Sequence, residues 1–222
     1  MSGLEPFLLP AGVIAGILAG AGLDDLAVKY ARKAAARGEA VAGPRPFLAG
    51  IAGAGVTAAG ILLWPESLIL LCFTIAFGWL LLALALIDLR SYLLPDRLNL
   101  AVFLLGGLMA ALFRQESWGW HLAGAAAGFG LLWLVEISYL RLRGIHGLGR
   151  GDAKLLGAIG MWTGLTGIPP VLLIASLAAI LSVVLRAALK RQAVSGHSMI
   201  AFGPWIALGG YIVWLFPQLL PA

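Results

Sequence analysis

"WLLLALALIDLRSYLLPDRLNL", residues 79–100, opens with nine apolar residues and then meets a carboxylate, Asp88. No apolar and polar residues alternate along it, so it does not read as a half-buried strand. Extended upstream, it becomes an apolar segment over 67–87. A helix needs roughly 17 to 25 such residues to cross a hydrocarbon core. The acid, the basic Arg90 and Pro95 that follow mark the point where that helix leaves the apolar phase.

The rest of the chain has the same character. Of its 222 residues 61% are hydrophobic and 11% charged, and the mean hydropathy is +0.99, far from the balance of a soluble domain. The expected fold is all-α, a polytopic transmembrane helical bundle in one membrane-embedded domain over 1–222. About eight spans are expected, near 6–22, 47–64, 67–87, 98–113, 118–140, 154–166, 171–189 and 199–218. The sixth, "LLGAIGMWTGLTGIPP", is short and glycine-rich. Without a crossing there, the charges of its two flanking loops would fall on opposite sides.

Charge placement orients the bundle. With the N-terminus outside, alternate inside loops carry the cations, and only Arg114 of the 15 Lys and Arg falls on the other side. This is the bias of cytoplasmic loops. The net charge of +5 is spread between apolar segments and forms no stripe for nucleic acid. The first segment lacks a basic n-region and reads as a span, not a removable signal. Loop 23–46, "LDDLAVKYARKAAARGEAVAGPRP", suggests a short interfacial helix anchored to membrane lipids. Gly12, Gly16 and Gly20, and also Gly124 and Gly128, lie four apart and are expected to let helices pack closely.

The single cysteine, Cys72, lies in an apolar run, where a packing role is expected, and it can form neither an intrachain disulfide nor a CxxC site. His121, His146 and His197 are too scattered for a metal site. No metal and no cofactor is expected.

Acids at or within a membrane are costly and point to function. Of the ten, Glu5, Asp24, Asp25, Glu39, Glu66 and Glu116 fall in loops or termini and need no special account. Glu136, above Arg141 on the fifth span, is expected to pair with a basic residue or a neighbouring helix. Asp96 follows Pro95 and is expected to cap the fourth helix. Asp88 ends a helix, where the macrodipole disfavours an acid. Asp152 sits in "HGLGRGDAKLLGAIG", 146–160, where Gly147, Gly149 and Gly151 permit close backbone approaches and bring an acid to the start of the next helix.

By the topology, Asp88 and Asp152 share one side and one depth. Two such carboxylates suit an aspartic dyad, one ionised to take a proton from water and the other protonated to polarise a scissile carbonyl. The helix ends suggest Asp152 as the base and Asp88 as the acid.

These residues resemble type IV prepilin peptidases. "DLRSYLLPD", 88–96, is similar to that family's first aspartate motif, "GRGDAK", 149–154, to its GxGDxK motif, and "FGPWIALGG", 202–210, to the start of its last helix. The resemblance covers roughly 45–218. It implies a membrane aspartic endopeptidase that removes the short basic leader of type IV prepilins or pseudopilins, working at the cytoplasmic face of a bacterial inner membrane. Asp88 and Asp152 would then be catalytic, with Pro95, Asp96, Gly149, Gly151 and Lys154 supporting them. Many members carry a cytoplasmic methyltransferase domain with paired CxxC motifs between their first two helices. Loop 23–46 stands in its place here without a cysteine, so that second activity is expected to be absent. Alternatives from other classes are an ion- or proton-coupled carrier using Asp88, Glu136 and Asp152 as a relay, or an inactive scaffold of a pilus or secretion machine.

Overall fold

The computed structural model describes residues 5–35, 45–63, 67–144, 149–190 and 201–217. Among these there are eight α-helices and no strand: α1 (Glu5–Ala35), α2 (Pro46–Leu63), α3 (Leu68–Ser91), α4 (Asp96–Phe113), α5 (Trp118–Arg143), α6 (Arg150–Thr163), α7 (Ile168–Lys190) and α8 (Gly203–Leu215). The polytopic helical bundle is therefore the fold.

Local chemistry sets the ends. Ser67 caps α3 by accepting the Leu70 N–H at 3.1 Å. At the other end Tyr92 turns left-handed, φ 52°, and its N–H reaches the Asp88 carbonyl at 2.9 Å. Pro95, which has no N–H to donate, then starts α4. Gly144, φ 69°, ends α5 in the left-handed conformation that costs glycine little.

Two expectations about the spans change. Helix α1 does not stop near residue 22 but continues to Ala35, because the Ala-, Lys- and Arg-rich stretch that was to form a separate interfacial helix propagates the first one. Six helices, all but α6 and α8, are long and apolar enough to cross a membrane. Helix α8 has 13 residues. Helix α6 has 14, and all of them except Arg150, Gly151 and Lys154 are buried. It is an interior element, packed against α5, α4 and α8, and it begins four residues before the expected span, so Gly151 and Asp152 lie in its first turn.

Two pairs of helices close on small residues. The backbones of Gly16 and Gly20 in α1 lie directly against those of Gly53 and Ala49 in α2. On α5, Gly124 and Gly128 lie against Gly160 and Leu156 of α6. Both stripes pack helices, as their spacing predicts. At the centre Trp162 of α6 stacks on Phe77, with centroids 4.1 Å apart, meets Trp214 edge-on at 5.2 Å, and donates its indole N–H to the Val102 carbonyl at 2.9 Å. Apolar side chains such as Leu18, Leu104, Leu177 and Ile180 point outward, the arrangement expected of a lipid-facing surface. Cys72 is also exposed, so it faces out from α3 and is not packed in the core.

Asp24 departs most from its expectation. It is fully buried in α1, not in a solvated loop. Its carboxylate pairs with Arg90 of α3 and accepts the Arg45 N–H at 2.6 Å, while Arg90 also donates to the Asp24 carbonyl at 3.0 Å. The pair ties α1 to the last turn of α3, two residues beyond Asp88. Removing one partner leaves a buried charge unpaired. We expect Asp24→Ala to destabilise the protein in detergent by about 2 kcal/mol, read as a lower Tm. Replacing both partners, Asp24→Leu with Arg90→Leu, should recover most of that loss. A double variant as unstable as the single one would mean the pair is not what Asp24 contributes.

Candidate active site

Asp88, Asp152 and the first residue of α8 meet at one end of the bundle. Asp88 is in the last turn of α3, Asp152 in the first turn of α6, and both are buried. The Gly203 N–H, at the start of α8, donates to Asp88 Oδ2 at 3.1 Å. Asp88 and Asp152 are close enough for their charges to act on each other.

One aliphatic side chain links the three segments. Leu94, in the turn between α3 and α4, lies against Gly151 and Gly203 together. A Cβ at Gly151 would fall 2.8 Å from Leu94 Cβ, and one at Gly203 would fall 2.8 Å from Asp88 Oδ2 and 3.2 Å from Leu94 Cδ1. Glycine at these two positions is therefore a matter of space, since both helices are regular there. Gly149 caps α6 and its carbonyl accepts the Asp152 N–H at 3.0 Å.

Around the pair stand two ion pairs. Lys154 Nζ lies 2.6 Å from Asp96 Oδ1, with both side chains well exposed. Asp96 is thus the first residue of α4 and not its cap: Pro95 holds the cap position, and no side chain caps that end. The acid bonds to a cation instead, because its backbone is already helical and its carboxylate points away from the orphan N–H groups. Glu136, buried in α5, receives the Nε–H of Arg150 at 3.1 Å, a basic partner as expected. His121 of α5 contacts the Met161 carbonyl through Nδ1 at 3.1 Å. His146, His197 and Gly147 lie outside the described residues.

Two neighbouring buried carboxyls cannot both ionise cheaply, which favours a proton on one of them. The helix-dipole basis for giving that proton to Asp88 omitted α8. Asp88 does end α3, yet it also faces the N-terminus of α8 and accepts its first N–H. Gly203 and Leu94 are the members of this site that sequence reading did not single out. The glycine-proline start of α8 was its only trace.

Residues 75–184, which contain both aspartates, match the type IV leader peptidase family. The chain is 40% identical over 139 residues to the prepilin leader peptidase/N-methyltransferase of Escherichia coli (strain K12), covering 60% of each chain. It is 38% identical over 179 residues to the protein of that name in Dickeya chrysanthemi, covering 78% of this chain and 60% of the relative. For the Xanthomonas campestris pv. campestris protein of that name the identity is 39% over 153 residues, covering 68% of this chain and 49% of the relative. The chain thus spans about half to three-fifths of the length of these relatives. No solved structure matches it. Through residues 75–184, the chain belongs to the type IV leader peptidase family.

Proposed function

We propose that this protein is a membrane aspartic endopeptidase that removes the leader from type IV prepilins or pseudopilins, with Asp88 and Asp152 as its catalytic pair. The observation that carries the reading is the meeting of the two carboxyls, 64 positions apart in sequence, at one end of the bundle beside the Gly203 N–H. Hydrolysis needs no other group from the chain. The ionised carboxyl takes a proton from water as its oxygen attacks the scissile carbonyl, whose oxygen is polarised by the carboxyl that keeps its proton. When the tetrahedral centre collapses, the C–N bond breaks, the departing amine takes a proton from the pair, and a free carboxylate and a free amine remain.

Pro95 turns the chain after Asp88. Gly149 and Gly151 set Asp152 in place, while Asp96 and Lys154 join α4 to α6 beside it. The cation bias puts this end in the cytoplasm of a bacterial cell, with the N-terminus outside and the protein in the inner membrane. There the pair meets water, and the substrate's apolar segment stays in lipid.

The peptidase is proposed to act without a methyltransferase. Only residues 36–45 join α1 to α2, too few for a folded domain, and they contain no cysteine.

The test is to reconstitute the purified protein in liposomes with a type IV prepilin and to measure the intact mass of the product. Loss of the leader with no added methyl group is the expected result. An uncut prepilin across several substrates and pH values, with a well-folded protein, would overturn the reading.

A further inference from the structure

Asp88 and Asp152 both sit on helix ends, the last turn of α3 and the first turn of α6. Terminal turns lack part of a helix's hydrogen bonding and fray, so a carboxyl there is held only as firmly as its turn. Neighbouring side chains do little to hold these two turns. Leu89, Tyr92 and Leu93 beside Asp88 are exposed, and no side chain caps the start of α6.

The same device serves both ends. Two residues beyond Asp88, Arg90 reaches α1, where one guanidinium nitrogen pairs with the Asp24 carboxylate and another donates to the Asp24 carbonyl at 3.0 Å. Two residues before Asp152, Arg150 reaches α5, where its Nε–H donates to Glu136 at 3.1 Å. Both acids are buried, with side chains 0% and 3% exposed. Residues two apart point about 200° apart around a helix. Each arginine therefore holds its turn from the side opposite the aspartate, against a helix that gives no carboxyl to the pair.

Stability does not account for this arrangement. Charges are costly to desolvate, and apolar residues in place of a buried ion pair often serve stability equally well. What leucines cannot supply is direction. A guanidinium that grips two points on α1 fixes both the rotation of the last turn of α3 and its distance from α1, and with them the place of Asp88. Arg150, bonded once and with its side chain 72% exposed, is the looser hold.

We propose that Arg90 and Arg150 are positioning residues of the carboxyl pair, each tying one aspartate-bearing helix end to a buried acid on the helix behind it, so that Asp88 and Asp152 meet in working geometry. The proposal rests on the peptidase reading. Neither arginine takes part in the chemistry.

The test separates position from stability, with a prepilin as substrate in detergent. Asp24→Leu with Arg90→Leu should recover most of the Tm lost in Asp24→Ala, yet lower kcat about tenfold, as a shift of a fraction of an ångström in a reacting group would, with KM little changed. Arg90→Lys, which keeps the charge and loses the fork, should fall between that double variant and wild type. Arg150→Leu should lower kcat about threefold at nearly the wild-type Tm, and Arg150→Lys should recover part of the loss. Thr57→Val is the comparison. It removes the bond that Thr57 accepts from the Trp79 indole at 3.1 Å, nine residues up α3 from Asp88, and should lower Tm with kcat unchanged. Wild-type protein that cuts the prepilin, with kcat unchanged in both the double variant and Arg150→Leu, overturns the positioning role alone. An equal loss of kcat in Thr57→Val overturns it too, because activity would then follow stability. If the double variant does not fold, Arg150→Leu decides the matter. Wild-type protein that cuts no prepilin overturns the peptidase reading and this proposal with it.

Discussion

Asp88→Asn and Asp152→Asn are each expected to lower leader removal by on the order of a thousandfold or more, with the helical content and Tm of the wild type. An Asn amide can neither take a proton from water nor pass one to a leaving amine. It does fill the same space, so the packing of Leu94, Gly151 and Gly203 around the pair should hold. In the proposed dyad the two losses should not add: the double variant should be about as inactive as either single one. The pair also offers a test of asymmetry. Asp88 has the Gly203 donor, so the pH dependence of inhibitor binding should differ between the two single variants. Equal pH profiles would mean that neither carboxyl is distinguished from the other. Substantial cleavage by either Asn variant would remove that residue from the reaction.

Gly203→Ala should be the next most damaging change. Its methyl group would lie 2.8 Å from Asp88 Oδ2, with Leu94 Cδ1 at 3.2 Å on the other side. The carboxylate must move, and the N–H that it accepts from α8 moves with it. A displacement of about 1 Å in a reacting group can cost about a hundredfold in rate, and that is the expected fall in kcat, with KM and Tm much less affected. The comparison is Gly130→Ala on α5, where a Cβ meets nothing within 4 Å. Activity unchanged in Gly203→Ala would show that Asp88 tolerates the methyl and that its contact with α8 is incidental.

Much of this was legible before any coordinates. A hydrocarbon core imposes a minimum apolar length, so the long spans stand out in one dimension, and so do scarce acids at their ends. Asp88 and Asp152 were found that way, and Glu136 with its basic partner. What escaped depends on contacts between distant segments. Asp24 and Arg90 are separated by 66 residues, Asp96 and Lys154 by 58, and Asp88 and Gly203 by 115; no local period records such pairs. Asp24 looked like a loop acid because the helix it belongs to turns basic, and an interfacial composition hides a buried position. Helix α6 looked like a weak span because hydropathy cannot distinguish a helix wrapped by other helices from one that faces lipid.

Leu94 touches the start of both α6 and α8, and this bears on how the protein is made. A nascent chain inserts its helices in order, so both carboxyls have reached the membrane well before α8 emerges from the ribosome. Until α8 docks, Asp88 lacks its N–H donor and Leu94 has only one of its two glycine surfaces to rest on. The half-made protein carries its aspartates without an assembled pair, and on the proposed reading leader removal waits until α8 is in place.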